Sequence, residues 1–144
     1  MEGDTIAVAA DHAGFDLKEI LKRDLQDAGY AVLDLGTNST ASVDWPDYGK
    51  AMGEAIESGR VRRGVIVCGT GIGISIAANR HRKVRAALCH DATSARLTRQ
   101  HNDANVLALG ARLIGPETAR ECLRVFLATG FDGGRHAARV AKIS

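Results

Sequence analysis

A cysteine followed by a glycine-rich loop places a thiol beside several backbone donors. In the segment VIVCGTGIGISIAANR, Cys68 ends an apolar run and is followed by Gly69, Gly71 and Gly73. Such glycines let the backbone approach a ligand and turn N–H groups toward it ahead of a helix N-terminus, which favours an anion. A thiol that faces a helix N-terminus has a stabilised thiolate and can serve as a base or a nucleophile. Core packing is the alternative role for Cys68.

The same loop departs from the common nucleotide-binding motifs. A dinucleotide fingerprint needs glycine at position 74, where this chain has Ile74, and the Gly-Lys-Ser/Thr end of a Walker loop is absent. Asp91 follows Gly71 by 20 residues, so a nucleotide held at the loop, with Asp91 on a ribose hydroxyl, remains an alternative. A plain strand-to-helix turn is the structural alternative.

Two arginines near the end of the chain could bind a phosphate group. Arg135 and Arg139 are four residues apart and therefore share one face of a helix. Two guanidinium groups with no acid between them match the oxygens of a phosphate. A solvated basic tail explains the spacing equally well.

Two polar pairs lie at the ends of predicted elements. Asp11 and His12 follow the first apolar run, where a helix N-cap with a surface imidazole is as good an explanation as a functional site. His101 and Asn102 lie where a helix is predicted to end, and by themselves they favour a C-terminal capping arrangement over a catalytic one.

Composition limits the class of protein. The chain has 144 residues, 45% of them hydrophobic, and a net charge of +2 with acids and bases interspersed, which fits one globular domain and argues against nucleic-acid or membrane-surface partners. No apolar run approaches the roughly 20 residues that span a bilayer. The three cysteines form no CxxC or Cys/His metal motif, and the segment MEGDTIAVAA has no basic region followed by an apolar core, as a signal peptide would. We expect a reduced, cytoplasmic protein in which Cys89 and Cys122 are packing residues.

Short apolar runs alternate with amphipathic stretches along the whole chain. This pattern is typical of repeated βα units and of a mostly parallel sheet. It predicts five strands, at 5–10, 30–35, 64–68, 85–89 and 105–109. It also predicts six helices: one at about 15–28, one at 46–58, one that starts inside the glycine loop, one that follows the fourth strand and ends at about 100, one at 117–128 and one from about 133. We therefore expect a single α/β domain over residues 1–144, a three-layer α/β/α sandwich with a five-stranded, mostly parallel sheet. Ligands of such sheets bind beyond the carboxyl ends of the strands.

Several of these pieces, taken together and in order, carry a family resemblance. The segments are AADHAGFDLK, WPDYG, CGTGIGISIAANR, RQHNDANVLALGAR and GGRHAARV. From about residue 5 to 142 the chain resembles the ribose-5-phosphate isomerase type B family, which includes the galactose-6-phosphate isomerase subunits. The resemblance implies a Rossmann-like domain that forms a homodimer, or a tetramer, with its sites between subunits. It also implies an aldose–ketose isomerase, an intramolecular oxidoreductase that uses no metal or other cofactor and interconverts ribose 5-phosphate and ribulose 5-phosphate.

The resemblance also assigns roles to individual residues. By this similarity, Cys68 would be the base that moves a proton between C1 and C2, while Asp11 handles the hydroxyl proton and His101 opens the sugar ring. Thr70 would also be catalytic and, with the amides of Gly69, Gly71 and Gly73, would stabilise the enediolate. The remaining positions would bind the substrate: Asn102 at sugar oxygens, Tyr48 at the sugar, and His12, Arg112, Arg135 and Arg139 at the phosphate. A second branch of the family has a glutamate base at the position of Ile74, which cannot take a proton, so the chain resembles the cysteine branch.

The implied chemistry agrees with the residue types. Removing a proton from carbon beside a carbonyl creates an oxyanion, so a base must lie opposite preorganised donors, and a glycine loop at a helix start supplies them. A ring-opening His101 favours a pentose or hexose phosphate, because a tetrose phosphorylated on its terminal oxygen cannot form a furanose. Allose 6-phosphate, galactose 6-phosphate and a tetrose phosphate remain alternative substrates. A non-catalytic module that binds a nucleotide or phosphosugar is the alternative of a different class.

Overall fold

Strands and helices alternate through the residues that the computed structural model describes, 4–144. The strands are β1 (Thr5–Ala10), β2 (Ala31–Asp34), β3 (Arg63–Cys68), β4 (Ala86–Leu88) and β5 (Val106–Gly110). The helices are α1 (Phe15–Asp27), α2 (Trp45–Glu57), α3 (Ile72–Ala78), α4 (Ala92–Asn102), α5 (Pro116–Ala128) and α6 (Arg135–Ala141). Each predicted strand and helix is present.

The five strands form one parallel sheet in the order β2-β1-β3-β5-β4. Side chains alternate across β1: Ile6 and Val8 contribute to the core under α1, α4 and α5, whereas Ala7 and Ala9 contribute to the core under α2 and α3. Both faces of the sheet are therefore covered, as the continuous apolar strands predict. The α/β class and the three-layer sandwich are confirmed.

Several boundaries differ from the prediction by one or two residues, and two of these differences have a clear local reason. Arg85 lies outside β4 because its backbone N–H donates to the Asn105 Oδ1 at 2.7 Å instead of joining the sheet. The last helix begins at Arg135 and not near 133, because Gly133 and Gly134 have φ values of 66° and 54°, which no right-handed helix contains. None of the helices in the described part of the chain is long and apolar enough to cross a membrane.

A buried lysine ties α1 to the end of β2. Lys18 is 1% exposed and donates to both carboxylate oxygens of Asp34 at 2.8 Å. Burial by itself would raise the pKa of Asp34, but hydrogen bonds from Lys18, the Gly36 amide and Lys22 hold that pKa below its ordinary value. This part of the stability is therefore present above the pKa of an unfolded aspartate and is lost as the pH falls through the lowered value.

Asp34→Asn is expected to lower the free energy of unfolding by about 3 kcal/mol, because it leaves the buried Lys18 ammonium with the exposed Glu19 as its only carboxylate while keeping an acceptor for the Gly36 amide. Urea denaturation at neutral pH measures the loss. The matched control is Asp24→Asn, whose partner Arg120 is exposed and which we expect to unfold like the wild type. Equal stabilities of the two variants would contradict the assignment.

Candidate active site

A cavity of about 470 Å³ lies beyond the carboxyl ends of β1, β3 and β5. Its position is the one that parallel sheets favour for ligands. The lining combines a thiol, a carboxyl group, an imidazole and a guanidinium with the glycine loop: Asp11, His12, Ala13, Trp45, Cys68, Gly69, Thr70, Ile72, Gly73 and Arg112. Seven of the sequence-predicted site residues are in this set.

The loop after β3 fixes the environment of the Cys68 thiol. The Gly71 N–H donates to the Cys68 Sγ at 3.2 Å, and Gly71 is the N-cap of α3 with a φ of 78°. A Cβ at Gly71 would lie 2.6 Å from the Leu88 Cδ1 and 2.9 Å from the Leu109 carbonyl carbon, so only glycine fits this turn. Cys68 is 4% exposed but borders the cavity. The sulfur therefore has a backbone donor and access to a ligand.

The other two cysteines have different surroundings. Cys89 and Cys122 lie in the core under α1, α4 and α5, at 1% and 0% exposure. Burial raises the pKa of Cys89, and burial raises that of Cys122 to about 11. Both are neutral packing residues, as the sequence predicts.

The loop after β5 brings a positive charge to the glycine loop. The Arg112 backbone N–H donates to the Gly69 carbonyl oxygen at 2.9 Å, and the Arg112 Nη1 lies 3.2 Å from where a Gly69 Cβ would be. Glycine at position 69 therefore leaves space for the guanidinium side chain. Beside it, the Thr70 Oγ1 accepts from the Ile72 N–H at 3.1 Å, which orients the hydroxyl at the start of α3.

The loop after β1 contributes Asp11 and His12. The Asp11 Oδ1 accepts from the Gly14 N–H at 3.1 Å, and Gly14, without a side-chain cap, is the N-cap of α1. Asp11 is therefore not the N-cap residue of α1, but its carboxylate caps the turn that leads into this helix, and Asp11, 4% exposed, also lines the cavity. The His12 Nδ1 accepts from the Val43 N–H at 3.1 Å, so Nε2 is the ring nitrogen that can donate a hydrogen bond.

Trp45 is a lining residue that the sequence reasoning missed. Its indole is 41% exposed and packs on the glycine loop, with the Trp45 Cε2 2.9 Å from where a Gly73 Cβ would be. It is the only tryptophan in the chain, and its exposure at the first position of α2 could have marked it only once the fold was known. Tyr48 is not among the lining residues, and its ring lies against Gly36. Gly71 does not line the cavity either, but its N–H donates to the Cys68 sulfur.

The remaining predicted residues form a second group at another place. His101 and Asn102 end α4, Arg135 and Arg139 belong to α6, and none of the four lines the cavity. The His101 ring stacks on the His136 ring, with centroids 4.5 Å apart. The sequence-predicted site residues therefore lie in two separate places within one chain.

Asp91 has a structural role that weakens the nucleotide alternative. Its Oδ1 accepts from the Ser94 N–H at 2.7 Å as the N-cap of α4. That backbone hydrogen bond holds the pKa of Asp91 below its ordinary value. Asp91 is not a lining residue of the cavity beside the glycine loop, so the structure does not bring it to a nucleotide at that loop.

Comparisons with known proteins agree with this geometry. The family model described as ribose/galactose isomerase matches residues 6–143. A solved structure of ribose 5-phosphate isomerase from Thermotoga maritima is 52% identical, covers 97% of each chain and superimposes with a TM-score of 0.95. Ribose-5-phosphate isomerase B of Escherichia coli is 44% identical over 96% of this chain and 93% of its own length. D-erythrulose-4-phosphate isomerase of Pectobacterium atrosepticum is also 44% identical, over 96% and 92%. On the strength of a match along nearly its whole length, this chain belongs to the ribose/galactose isomerase family.

Proposed function

We propose that this chain interconverts ribose 5-phosphate and ribulose 5-phosphate through an enediolate, with Cys68 as the base. As a member of its family, the chain is an aldose–ketose isomerase of sugar phosphates. The single observation that supports the base is the Cys68 sulfur at the cavity, hydrogen-bonded to the Gly71 amide at the start of α3.

Each proton has a group to carry it in this proposal. The Cys68 thiolate takes the proton from C2 of the open aldose, and the electron pair forms the C1–C2 double bond while negative charge collects on O1. Asp11 passes a proton from O2 to O1, and the Cys68 thiol returns its proton to C1, which leaves a carbonyl at C2. The Thr70 hydroxyl and the loop amides stabilise the oxyanion, which a preorganised donor does best.

The phosphate end of the sugar needs positive charge. His12 and Arg112 line the cavity, and the His12 Nε2 can donate a hydrogen bond to a phosphate oxygen. The guanidinium group of an arginine can donate two parallel hydrogen bonds to phosphate oxygens. The energy of binding the phosphate would hold C1 and C2 of the sugar beside Cys68. Within one chain, Arg112 is the only guanidinium at the cavity among the described residues.

The two groups of site residues support a homodimer. We infer that His101, Asn102, Arg135 and Arg139 of one copy complete the cavity of a second copy. Two large apolar side chains that line the cavity are exposed and suited to such a contact, Trp45 at 41% and Ile72 at 49%, and Ile76, one turn further along α3, is 50% exposed. The exposed arginines of α6 would then reach the phosphate of the neighbouring site.

A second candidate function is the isomerisation of another sugar phosphate. The relative named for D-erythrulose 4-phosphate is as similar to this chain as the Escherichia coli relative named for ribose 5-phosphate. Allose 6-phosphate and galactose 6-phosphate are further candidates. His101 favours a substrate that cyclises, because a ring-opening group has no task on a permanently open chain.

A substrate panel tests the proposal. With ribose, allose, galactose and erythrose phosphates assayed on one preparation, we expect the highest kcat/KM for ribose 5-phosphate. His101→Ala should then lower the rate on ribose 5-phosphate but leave the rate on erythrose 4-phosphate, which cannot form a furanose, near that of the wild type. A preference for erythrose 4-phosphate would contradict the proposed substrate, and equal losses on both substrates would contradict the role of His101.

A further inference from the structure

Two imidazoles and a carboxylate meet outside the cavity, where α4 ends and α6 begins. One ligand atom each from His101, Asp132 and His136 lie within 4.8 Å of one another. The two rings are stacked, with centroids 4.5 Å apart and planes inclined by 17°. Side chains from well-separated positions in the sequence therefore form one compact set of donors.

The backbone holds this group together. The Asp132 N–H donates to the Gln100 carbonyl oxygen at 3.1 Å, which ties the loop before α6 to the last turn of α4. The His136 N–H donates to the Gly133 carbonyl oxygen at 3.0 Å, and Gly133 has a φ of 66°, which favours glycine. The three side chains are thus brought together by a defined turn.

The chemistry of the group suits a transition metal ion. Each imidazole can offer one ring nitrogen to an ion, and the Arg135 and Arg139 guanidiniums belong to the same helix as His136. Two imidazoles and one carboxylate form a donor set that Zn²⁺ and similar ions use, with water in the remaining positions. The neighbouring guanidiniums weaken the binding of a cation, and the Asp132 carboxylate offsets part of that repulsion.

We propose that His101, Asp132 and His136 bind a divalent transition metal ion such as Zn²⁺, and that the bound ion inhibits the isomerase by holding His101. The second part of this proposal, inhibition by the bound ion, rests on the proposed function, in which His101 opens the sugar ring. Stacked rings do not aim their lone pairs at one point, so one imidazole must rotate about its Cα–Cβ bond when the ion binds. Mg²⁺ and Ca²⁺ prefer oxygen ligands and should not bind.

Binding is measured without reference to activity. Zn²⁺ is titrated by calorimetry into the chelator-treated full-length protein, and Co²⁺ is titrated with detection of its visible absorption. We expect one ion per chain. His136→Ala and Asp132→Asn should each lower the affinity at least about tenfold, because the loss of even an outer-shell partner of a metal ligand usually costs about 10- to 100-fold. His90→Ala and Cys68→Ala should bind as tightly as the wild type. Unchanged binding in His136→Ala, or loss of binding in Cys68→Ala, would overturn the site.

Inhibition is measured on the same proteins. Zn²⁺ should lower the rate on ribose 5-phosphate and excess chelator should restore it. Asp132→Asn, which has no part in the proposed chemistry, should keep the metal-free rate and need at least about tenfold more Zn²⁺ for half-inhibition, in line with its weaker binding. Binding at full occupancy with no loss of rate would overturn the inhibition. If the metal-free wild type does not isomerise ribose 5-phosphate, the proposed function fails, and the binding data still decide the metal site.

Discussion

Cys68→Ala is expected to lower kcat by about 10²–10⁴-fold, the usual contribution of a positioned general base. The variant loses the only thiol that lines the cavity among the described residues, while the donors of the glycine loop and Arg112 remain. Substrate binding should therefore change little. Steady-state kinetics give kcat, and calorimetric titration with an unreactive sugar phosphate gives the affinity.

The matched control is a cysteine outside the site. Cys89→Ala removes a thiol whose pKa is raised by burial and which lies in the core, so it should reduce stability but keep kcat within about twofold of the wild type. Thermal unfolding shows that both variants are folded. A Cys68→Ala enzyme that retains more than about a tenth of the wild-type kcat would contradict the role of this thiol as the base.

Mixing two inactive variants is expected to restore activity. The first is Cys68→Ala. The second is the double variant Arg135→Ala/Arg139→Ala, which should lose on the order of a thousandfold in kcat/KM if each guanidinium–phosphate contact contributes about 2 kcal/mol. If each site takes Cys68 from one copy and the arginines from the other, a heterodimer contains one intact site and one doubly defective site. Random pairing of equal amounts should then recover about a quarter of the wild-type activity.

This mixing experiment distinguishes a shared site from a site within one chain. Dissociation and reassociation are followed with two affinity tags, so that heterodimers are isolated and counted. Both arginines are exposed on α6, so their removal should leave each chain folded. Heterodimers as inactive as either parent would show that both groups act within a single chain and would contradict the proposed dimer.

The sequence predicts the sheet and the loop positions because both depend on local patterns. Apolar runs such as the one that ends at Cys68 are long enough to be buried on both faces, and the glycines after it require a turn. Gly71 illustrates this: its positive φ and the contact with Leu88 leave no room for a side chain. The edges of elements are less predictable, as Arg85 shows, because its hydrogen bond to Asn105 depends on a residue 20 positions away.

Relationships between distant elements are not encoded in local spacing. Trp45 lines the cavity only because α2 packs its first turn against Gly73. His101 looks like a helix cap in the sequence, but the loop before α6 places His136 against it. The separation of the arginines of α6 from the cavity is likewise a property of the folded chain, and it is what leads to the proposed dimer.

Hydrogen exchange at the reacting carbon tests most directly whether the Cys68 sulfur transfers the substrate proton. Ribose 5-phosphate is incubated with enzyme in D₂O and analysed by NMR for deuterium at C2 of the aldose and at C1 of the ketose. Exchange is expected with the wild type, and it should disappear with Cys68→Ala under conditions where that variant still binds the sugar phosphate. Exchange at an undiminished rate in Cys68→Ala would show that another group removes the proton.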